Sequence, residues 1–69
     1  MIYFEPRHIY DAAIIRVDDV VVYDYEKLIE AIMEHLDCEW LDAVDWYCFN
    51  IECVFIDGWP IVEEAMDED

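Results

Sequence analysis

The stretch DYEKLIEAIMEHLDCEWLDAVDW, residues 24–46, predicts two consecutive amphipathic helices, and these decide the fold. Asp24 is a favourable N-cap residue, because its carboxylate can accept hydrogen bonds from the first unpaired amides of a helix. After it, apolar side chains recur at helical spacing, at Tyr25, Leu28, Ile29, Ile32 and Leu36. The pattern therefore predicts a helix over residues 24–36.

The second half of the stretch predicts a second helix, with Asp37 as its N-cap. We expect this helix to turn one apolar stripe toward the core, formed by Trp40, Leu41, Val44, Tyr47 and Cys48. The two helices would then pack side by side against the remaining elements.

The residues before the helices predict strands. Residues 2–4 are predicted to form a short strand, and residues 12–17 and 20–24 have the β-branched composition of a hairpin. The connecting Asp18-Asp19 step suits a tight turn poorly, so a loop longer than two residues is expected.

The residues after the helices predict at least one more strand. Phe49, Ile51, Cys53 and Phe55 alternate with other residues, which is typical of a half-buried strand with these four side chains facing the core. Asp57-Gly58 then predicts a turn. Residues 60–66 suit either a short helix or an edge strand, and the sequence leaves that choice open.

Together these elements predict an α+β fold. We expect an antiparallel sheet of three or four strands with two or three helices packed on one face. A chain of 69 residues fits one acidic domain spanning residues 1–69, in which residues 67–69 form a solvated tail. The order of the strands is not determined by the sequence.

Composition predicts a folded domain with an extreme negative charge. Apolar residues make up 59% of the chain, which argues against disorder. Nineteen Asp and Glu face three Lys and Arg, giving a net charge of −16. Solubility of a small domain needs a net charge of only about 2 to 8. The excess favours association with basic surfaces.

The same charge limits the partners and the location. It excludes direct binding to nucleic acid, which needs Lys and Arg against the phosphates, and binding to an anionic membrane surface. Residues 1–10 contain Glu5, Pro6, Arg7 and His8 where a signal peptide would be apolar. No apolar run approaches the roughly 18 residues of a membrane span. With an odd number of cysteines, three, we expect a cytoplasmic protein.

No metal, cofactor or catalytic site is expected. His35, Cys38, Cys48 and Cys53 are zinc ligands by type, but their spacing is irregular and we expect Cys53 in the core. Ser and Thr are absent from the chain, which excludes them as nucleophiles. The surrounding anions disfavour the thiolate that a Cys and His pair would need. The chain is therefore expected to be a binding protein and not an enzyme.

The candidate partner-binding face lies on the solvent side of the two predicted helices. Glu26, Glu30 and Glu34 recur every four residues, which spaces them about 6 Å apart along a helix axis. Surface helices usually pair such acids with lysines, yet Lys27 is the only cation in the stretch. We expect the partner to contact Glu26, Glu30, Glu34, Asp37, Glu39, Asp42, Asp45 and Trp46.

Trp46 belongs to this set because it projects beside the acids of the second helix, away from the predicted apolar stripe. An exposed Trp within a charged rim is typical of an interface anchor. The alternative interpretation is that Trp46 covers the edge of a small core, since Trp is commonly half-buried.

In these respects the chain resembles the small, strongly acidic, phage-encoded inhibitors that mimic DNA, anti-CRISPR proteins in particular. The resemblance covers the whole chain and lies in its size, its charge and its lack of catalytic residues. It implies an inhibitor that binds the basic DNA-recognition surface of a bacterial defence complex, best a CRISPR effector, as a double-stranded DNA mimic. Target DNA would then be blocked, in the cytoplasm of the host bacterium.

Two other functions would use the same surface. The chain also resembles immunity proteins that neutralise a basic nuclease or toxin, and it has the character of an acidic interaction subunit of a basic protein. The neighbouring genes would separate these functions: a helix-turn-helix regulator among phage genes, a toxin gene, or the gene of a basic subunit. Whether the chain also forms a homodimer through its aromatic residues is left open.

Overall fold

The fold is a three-stranded sheet with three helices, and it is described by a computed structural model over residues 1–64. The elements in chain order are α1 (Arg7–Tyr10) with a 3₁₀ turn (Asp11–Ala13), β1 (Ile14–Val17), β2 (Val21–Asp24), α2 (Tyr25–Leu36), α3 (Trp40–Tyr47) with a π-helical turn (Cys48–Glu52), and β3 (Ile61–Glu63). The predicted α+β class is confirmed. The predicted tail, residues 67–69, lies outside the described residues.

The predicted hairpin is confirmed. β1 and β2 pair antiparallel, and a bulge between Ile14 and Arg16 shifts their register. Three residues connect the strands, and the Asp18 N–H donates to the Val20 carbonyl at 2.9 Å. The Asp18-Asp19 step thus lies in a loop longer than two residues, as expected.

The prediction that the sheet is antiparallel is wrong for its third strand. β3 pairs with β2 in parallel, with Val22 opposite Ile61 and Asp24 opposite Glu63, so the sheet is mixed and its order is β1-β2-β3. The direction follows from the connection, because α2 and α3 carry the chain back to the end of the sheet where β2 began. Residues 61–63 are therefore a strand, while residues 65 and 66 lie outside the described part.

The strand predicted at residues 2–4 is wrong. Phe4 is buried and stacks on Tyr23, with ring centroids 4.5 Å apart, and its N–H donates to the Tyr23 hydroxyl at 2.9 Å. Trp59 packs edge-on against Phe4 at 5.4 Å. This segment is held by aromatic packing over the central strand instead of by a backbone ladder.

The first helix of the opening stretch is confirmed. The Asp24 carboxylate accepts a hydrogen bond from the Lys27 N–H at 2.9 Å, which satisfies a free amide of the first turn. Leu28, Ile29 and Ile32 are fully buried. They pack with the other large core side chains, Tyr10, Val21 and Tyr23.

Asp37 ends the first helix and does not begin the second. It adopts a left-handed conformation with φ 56°, and the next amide, that of Cys38, donates back to the Met33 carbonyl at 3.2 Å. Asp is among the few residues that adopt this conformation at low cost. α3 begins instead after Glu39, whose side chain makes no capping hydrogen bond.

α3 is rotated about its axis relative to the prediction. Ala43 is fully buried, whereas Leu41, which was predicted to face the core, is 76% exposed and Trp40 is 37% exposed. α3 packs chiefly against α2. A small residue at such a contact allows a short distance between helix axes, which explains why Ala43 takes the inner position.

The strand predicted over Phe49 to Phe55 is also wrong. Residues 48–52 continue α3 as a π-helical turn, which buries Ile51 and leaves Phe49 76% exposed. Cys53, predicted to lie in the core, is exposed. The indole N–H of Trp59 donates to the Ile51 carbonyl at 3.1 Å and helps to hold this turn against the core.

The turn predicted at Asp57-Gly58 is confirmed. Gly58 has φ +83°, a conformation that glycine adopts without a Cβ clash. The Trp59 N–H donates to the Ile56 carbonyl at 3.0 Å and closes the turn, which leads directly into β3.

Candidate acidic interface

The acids of α2 form a row on its outer side. Glu26, Glu30 and Glu34 are all exposed, while Leu28 and Ile32 on the opposite side are fully buried. Residues four apart lie one above the other on a helix, so the three carboxylates follow one line about 12 Å long. The helix period that buries the apolar side chains is thus also what aligns the acids.

The remaining predicted acids continue from α2 onto α3. They are Asp37 at the left-handed end of α2, Glu39 before α3, and Asp42 and Asp45 within α3, and all are exposed. The structure therefore places all seven predicted acids at exposed positions on two consecutive helices and the turn between them. We call this set, Glu26, Glu30, Glu34, Asp37, Glu39, Asp42 and Asp45, the acidic face.

The two arginines are engaged with other acids. Arg7 pairs with Asp11 at 3.1 Å, and Arg16 pairs with Asp18 at 3.0 Å and with Glu63 at 2.8 Å. These carboxylates raise the pKa of both guanidinium groups, chiefly through side-chain hydrogen bonds. Within residues 1–64, no ion pair involves a member of the acidic face.

A shallow depression lies where the acid row of α2 meets the N-terminal helical segment. It has a volume of about 350 Å³, and Glu30, Glu34 and Lys27 line one side of it. The other side is apolar and consists of Ile9 and Ala12. Sequence analysis missed these two residues, because their place beside α2 depends on the packing of α1 and not on a local pattern. The depression offers two carboxylates and an apolar wall, with the Lys27 side chain beside the carboxylates.

Trp46 lies at the edge of the core. It is half-buried and packs against the core cluster, and its carbonyl accepts from the Asn50 side-chain amide at 3.0 Å. This placement corresponds to the interpretation in which Trp46 covers the core, and not to an exposed anchor. Leu41 and Phe49, on the same helical segment, are strongly exposed, at 76% each.

The cysteines and His35 do not come together as a ligand set. Among residues 1–64, no three His, Cys, Asp or Glu side chains are arranged to hold a metal ion. The ring Nδ1 of His35 shares a hydrogen bond of 2.9 Å with the buried hydroxyl of Tyr10. This contact joins the end of α2 to α1.

The thiols of Cys38 and Cys48 are poor nucleophiles in this setting. Burial, together with Asp42, Asp37 and Glu39, raises the pKa of Cys38. A hydrogen bond with Glu52, followed by burial, raises the pKa of Cys48. A raised pKa keeps the thiol protonated at neutral pH, and the thiolate is the reactive species.

A second depression, of about 270 Å³, lies beside Cys48 and Glu52. Tyr25 and Tyr47 also line it, with rings 5.4 Å apart in an edge-to-face arrangement. Burial raises the pKa of Tyr25, and it raises the pKa of Tyr47 to about 12. Both phenols are therefore neutral near pH 7, so this depression offers neither a phenolate nor a thiolate base.

No protein-family model, no curated protein and no solved structure matches this chain. Across residues 1–64, no helix has both the length and the apolar character that crossing a bilayer requires.

Proposed function

We propose that this protein is an inhibitor that binds the basic DNA-recognition surface of a bacterial defence complex as a double-stranded DNA mimic. The favoured target is a CRISPR effector complex, which would lose access to its target DNA. The protein acts by occupying a surface and not by catalysis, in the cytoplasm of the host bacterium.

The acidic face is the observation that carries this proposal. Its seven carboxylates are exposed on consecutive helices, and no ion pair within residues 1–64 neutralises them. Like charges on a helix face lower its stability, because paired Glu and Lys stabilise a helix and repelling pairs do the reverse. A basic groove on a partner would supply the missing counter-charges.

The spacing of the carboxylates is compatible with a groove that holds DNA. Successive members of the Glu26, Glu30 and Glu34 row advance about 6 Å along the axis of α2. Phosphates of one DNA strand advance about 3.4 Å, so each step of the row spans nearly two phosphates. Lysines and arginines that hold a DNA backbone recognise charge and position without reading bases. Carboxylates at nearly twice that pitch can therefore take the place of every second phosphate.

The experiment is a competition between this protein and DNA. A panel of purified CRISPR effector complexes is incubated with labelled target DNA and increasing amounts of the protein, and bound DNA is measured by fluorescence anisotropy. We expect at least one complex to lose DNA as the protein is added. The inhibition should weaken steeply as the salt concentration rises, since exposed charges are screened.

The decisive variant reverses two charges of the acidic face. Glu30→Lys/Glu34→Lys should weaken inhibition at least about tenfold, which corresponds to only 1.4 kcal/mol of binding free energy. Glu5→Lys/Asp19→Lys is the matched control, because it changes the net charge equally at exposed positions outside α2 and α3. The control should inhibit nearly as well as the wild type.

Two results would count against the proposal. If both double variants inhibited equally, net charge alone would explain binding and the acidic face would have no special role. If the protein blocked a basic nuclease or toxin but never displaced DNA from an effector complex, it would be an immunity-type inhibitor.

A further inference from the structure

The outer side of α3 carries two large apolar side chains among its acids. Leu41 and Phe49 are each 76% exposed, and Asp45 lies midway between them in the sequence and is also exposed. Residues at four-residue spacing share one side of a helix, and α3 continues without a break into the π-helical turn that contains Phe49. We call Leu41, Asp45 and Phe49 the α3 stripe.

The orientation of α3 makes this stripe unusual. The helix buries the methyl group of Ala43 and leaves the larger side chain of Leu41 in solvent. The π-helical turn adds to the effect, since it prolongs the helix and holds Phe49 outward while Ile51 is buried. π-helical turns are rare and occur frequently at functional sites. The stripe is thus an apolar surface without a partner in residues 1–64.

The charge around the stripe determines which occupant is suitable. Residues 28–69 contain no Lys or Arg, so every charged side chain of α3 and its π-helical turn is acidic. A second copy of this chain would bring a like charge of −16 against the stripe. A basic surface would be attracted to it instead. Apolar groups on that surface could cover Leu41 and Phe49 while its cations reach Asp45.

We propose that the α3 stripe is docked by a basic protein surface that itself presents apolar side chains. This inference rests on the proposed function in one respect, that the partner is a basic protein. It goes beyond DNA mimicry, because a groove that holds only a phosphate backbone needs no apolar groups. Leu41 and Phe49 would let this protein bind with contacts that DNA does not make, as the anchors of protein interfaces do.

The test uses two synthetic peptides of equal length and charge, one alternating lysine with leucine and the other alternating lysine with serine. Affinities are measured by fluorescence anisotropy. We expect the wild type to prefer the lysine and leucine peptide at least about tenfold, the effect that burying one large apolar side chain supports. Leu41→Ser/Phe49→Ser should lose this preference and keep its affinity for the lysine and serine peptide.

Ile15→Ser/Val17→Ser is the matched control, because these β1 side chains are also exposed, at 46% and 49%. It should keep the preference of the wild type. A preference that survived Leu41→Ser/Phe49→Ser, or that Ile15→Ser/Val17→Ser also removed, would overturn the proposal. Circular dichroism establishes that both variants are folded, as expected for changes at exposed positions.

Sedimentation velocity tests whether a second copy of this chain covers the α3 stripe instead. The wild type should be a monomer at physiological salt. A dimer that Leu41→Ser/Phe49→Ser dissociates would assign the stripe to a second copy and overturn the proposal.

The proposed function fails separately, through the absence of competition with DNA, and that result leaves the peptide preference unchanged. Conversely, full displacement of DNA by Leu41→Ser/Phe49→Ser would contradict only the role of the stripe.

Discussion

Arg16 on β1 donates to the Glu63 carboxylate on β3 at 2.8 Å, so one ion pair joins the two edge strands of the sheet across β2. The same guanidinium group also contacts Asp18 at 3.0 Å. Arg16 therefore neutralises two acids at the sheet. Of the three Lys and Arg of the chain, Arg16 is thus the one placed between distant segments of the sheet, and α3 contains none.

The first prediction concerns this ion pair. Arg16→Gln should lower the midpoint of urea unfolding, because it leaves Asp18 and Glu63 unneutralised and removes the link between β1 and β3. Arg7→Gln is the matched control, since it removes the same charge but only contacts outside the sheet, the pair with Asp11 and the cation–π contact with Tyr3. At low salt, Arg16→Gln should lower the midpoint of urea unfolding more than Arg7→Gln does. This difference between the two variants should shrink at high salt. Equal losses would mean that net charge, and not the connection across the sheet, is what Arg16 contributes.

The elements that sequence analysis predicted correctly are those with local causes. α2 follows from a helical apolar pattern and an N-cap within the same segment, and the hairpin follows from two adjacent β-branched runs. The acids of the acidic face were predicted at exposed positions because isolated carboxylates are costly to bury. None of these predictions needed information from distant residues.

The errors lie where distant contacts decide between two local patterns. α3 has one apolar set containing Leu41 and another containing Ala43 and Trp46, and only packing against α2 selects the second. The alternation after Phe49 suits a strand, but the chain continues α3 and Ile51 is buried there. The direction of β3 likewise depends on where two helices end. The apolar wall of the first depression could not be predicted for the same reason.

The rotation of α3 gives a second prediction. Ala43→Leu should destabilise the protein by about 1 to 3 kcal/mol, because the added side chain has no space in a buried contact. Leu41→Ala should change stability by no more than about 0.5 kcal/mol, since most of the side chain is already in water. Urea unfolding of the two variants measures both values. A larger loss of stability for Leu41→Ala than for Ala43→Leu would mean that Leu41 faces the core, as the sequence predicted.

The third prediction concerns alkaline pH. Burial is the chief cause that raises the pKa of Tyr10 and that of Tyr47 to about 12, from 10.0 for an exposed tyrosine. Between these values the folded protein holds protons that the unfolded chain has released. The free energy of unfolding therefore keeps its full value below about pH 10 and falls as the pH rises toward about 12.

Urea unfolding at constant ionic strength, between about pH 9 and pH 11, checks this dependence. Tyr10→Phe/Tyr47→Phe should flatten the decline, because neither phenyl ring can ionise. Tyr3→Phe is the control, as this tyrosine lies outside the fully buried core and packs against Arg7. An unchanged decline in the double variant would show that other groups cause it.

The fourth prediction follows from the acids of α2 and α3, which form no ion pair within residues 1–64. Raising the salt concentration should increase the melting temperature, because screening weakens repulsion between carboxylates beyond a Debye length of about 8 Å at physiological salt. If screening raised the free energy of unfolding by about 1 kcal/mol, the melting temperature would rise by about 4 to 8 °C in a domain of this size. Glu30→Lys/Glu34→Lys should melt higher than the wild type at low salt and respond less to added salt.

Glu5→Lys/Asp19→Lys is the control for this prediction. It changes the net charge equally but leaves the row on α2 intact, so its salt response should stay closer to that of the wild type. A melting temperature independent of salt in all three proteins would mean that the acidic face does not strain the fold, and a basic partner would then have no repulsion to relieve.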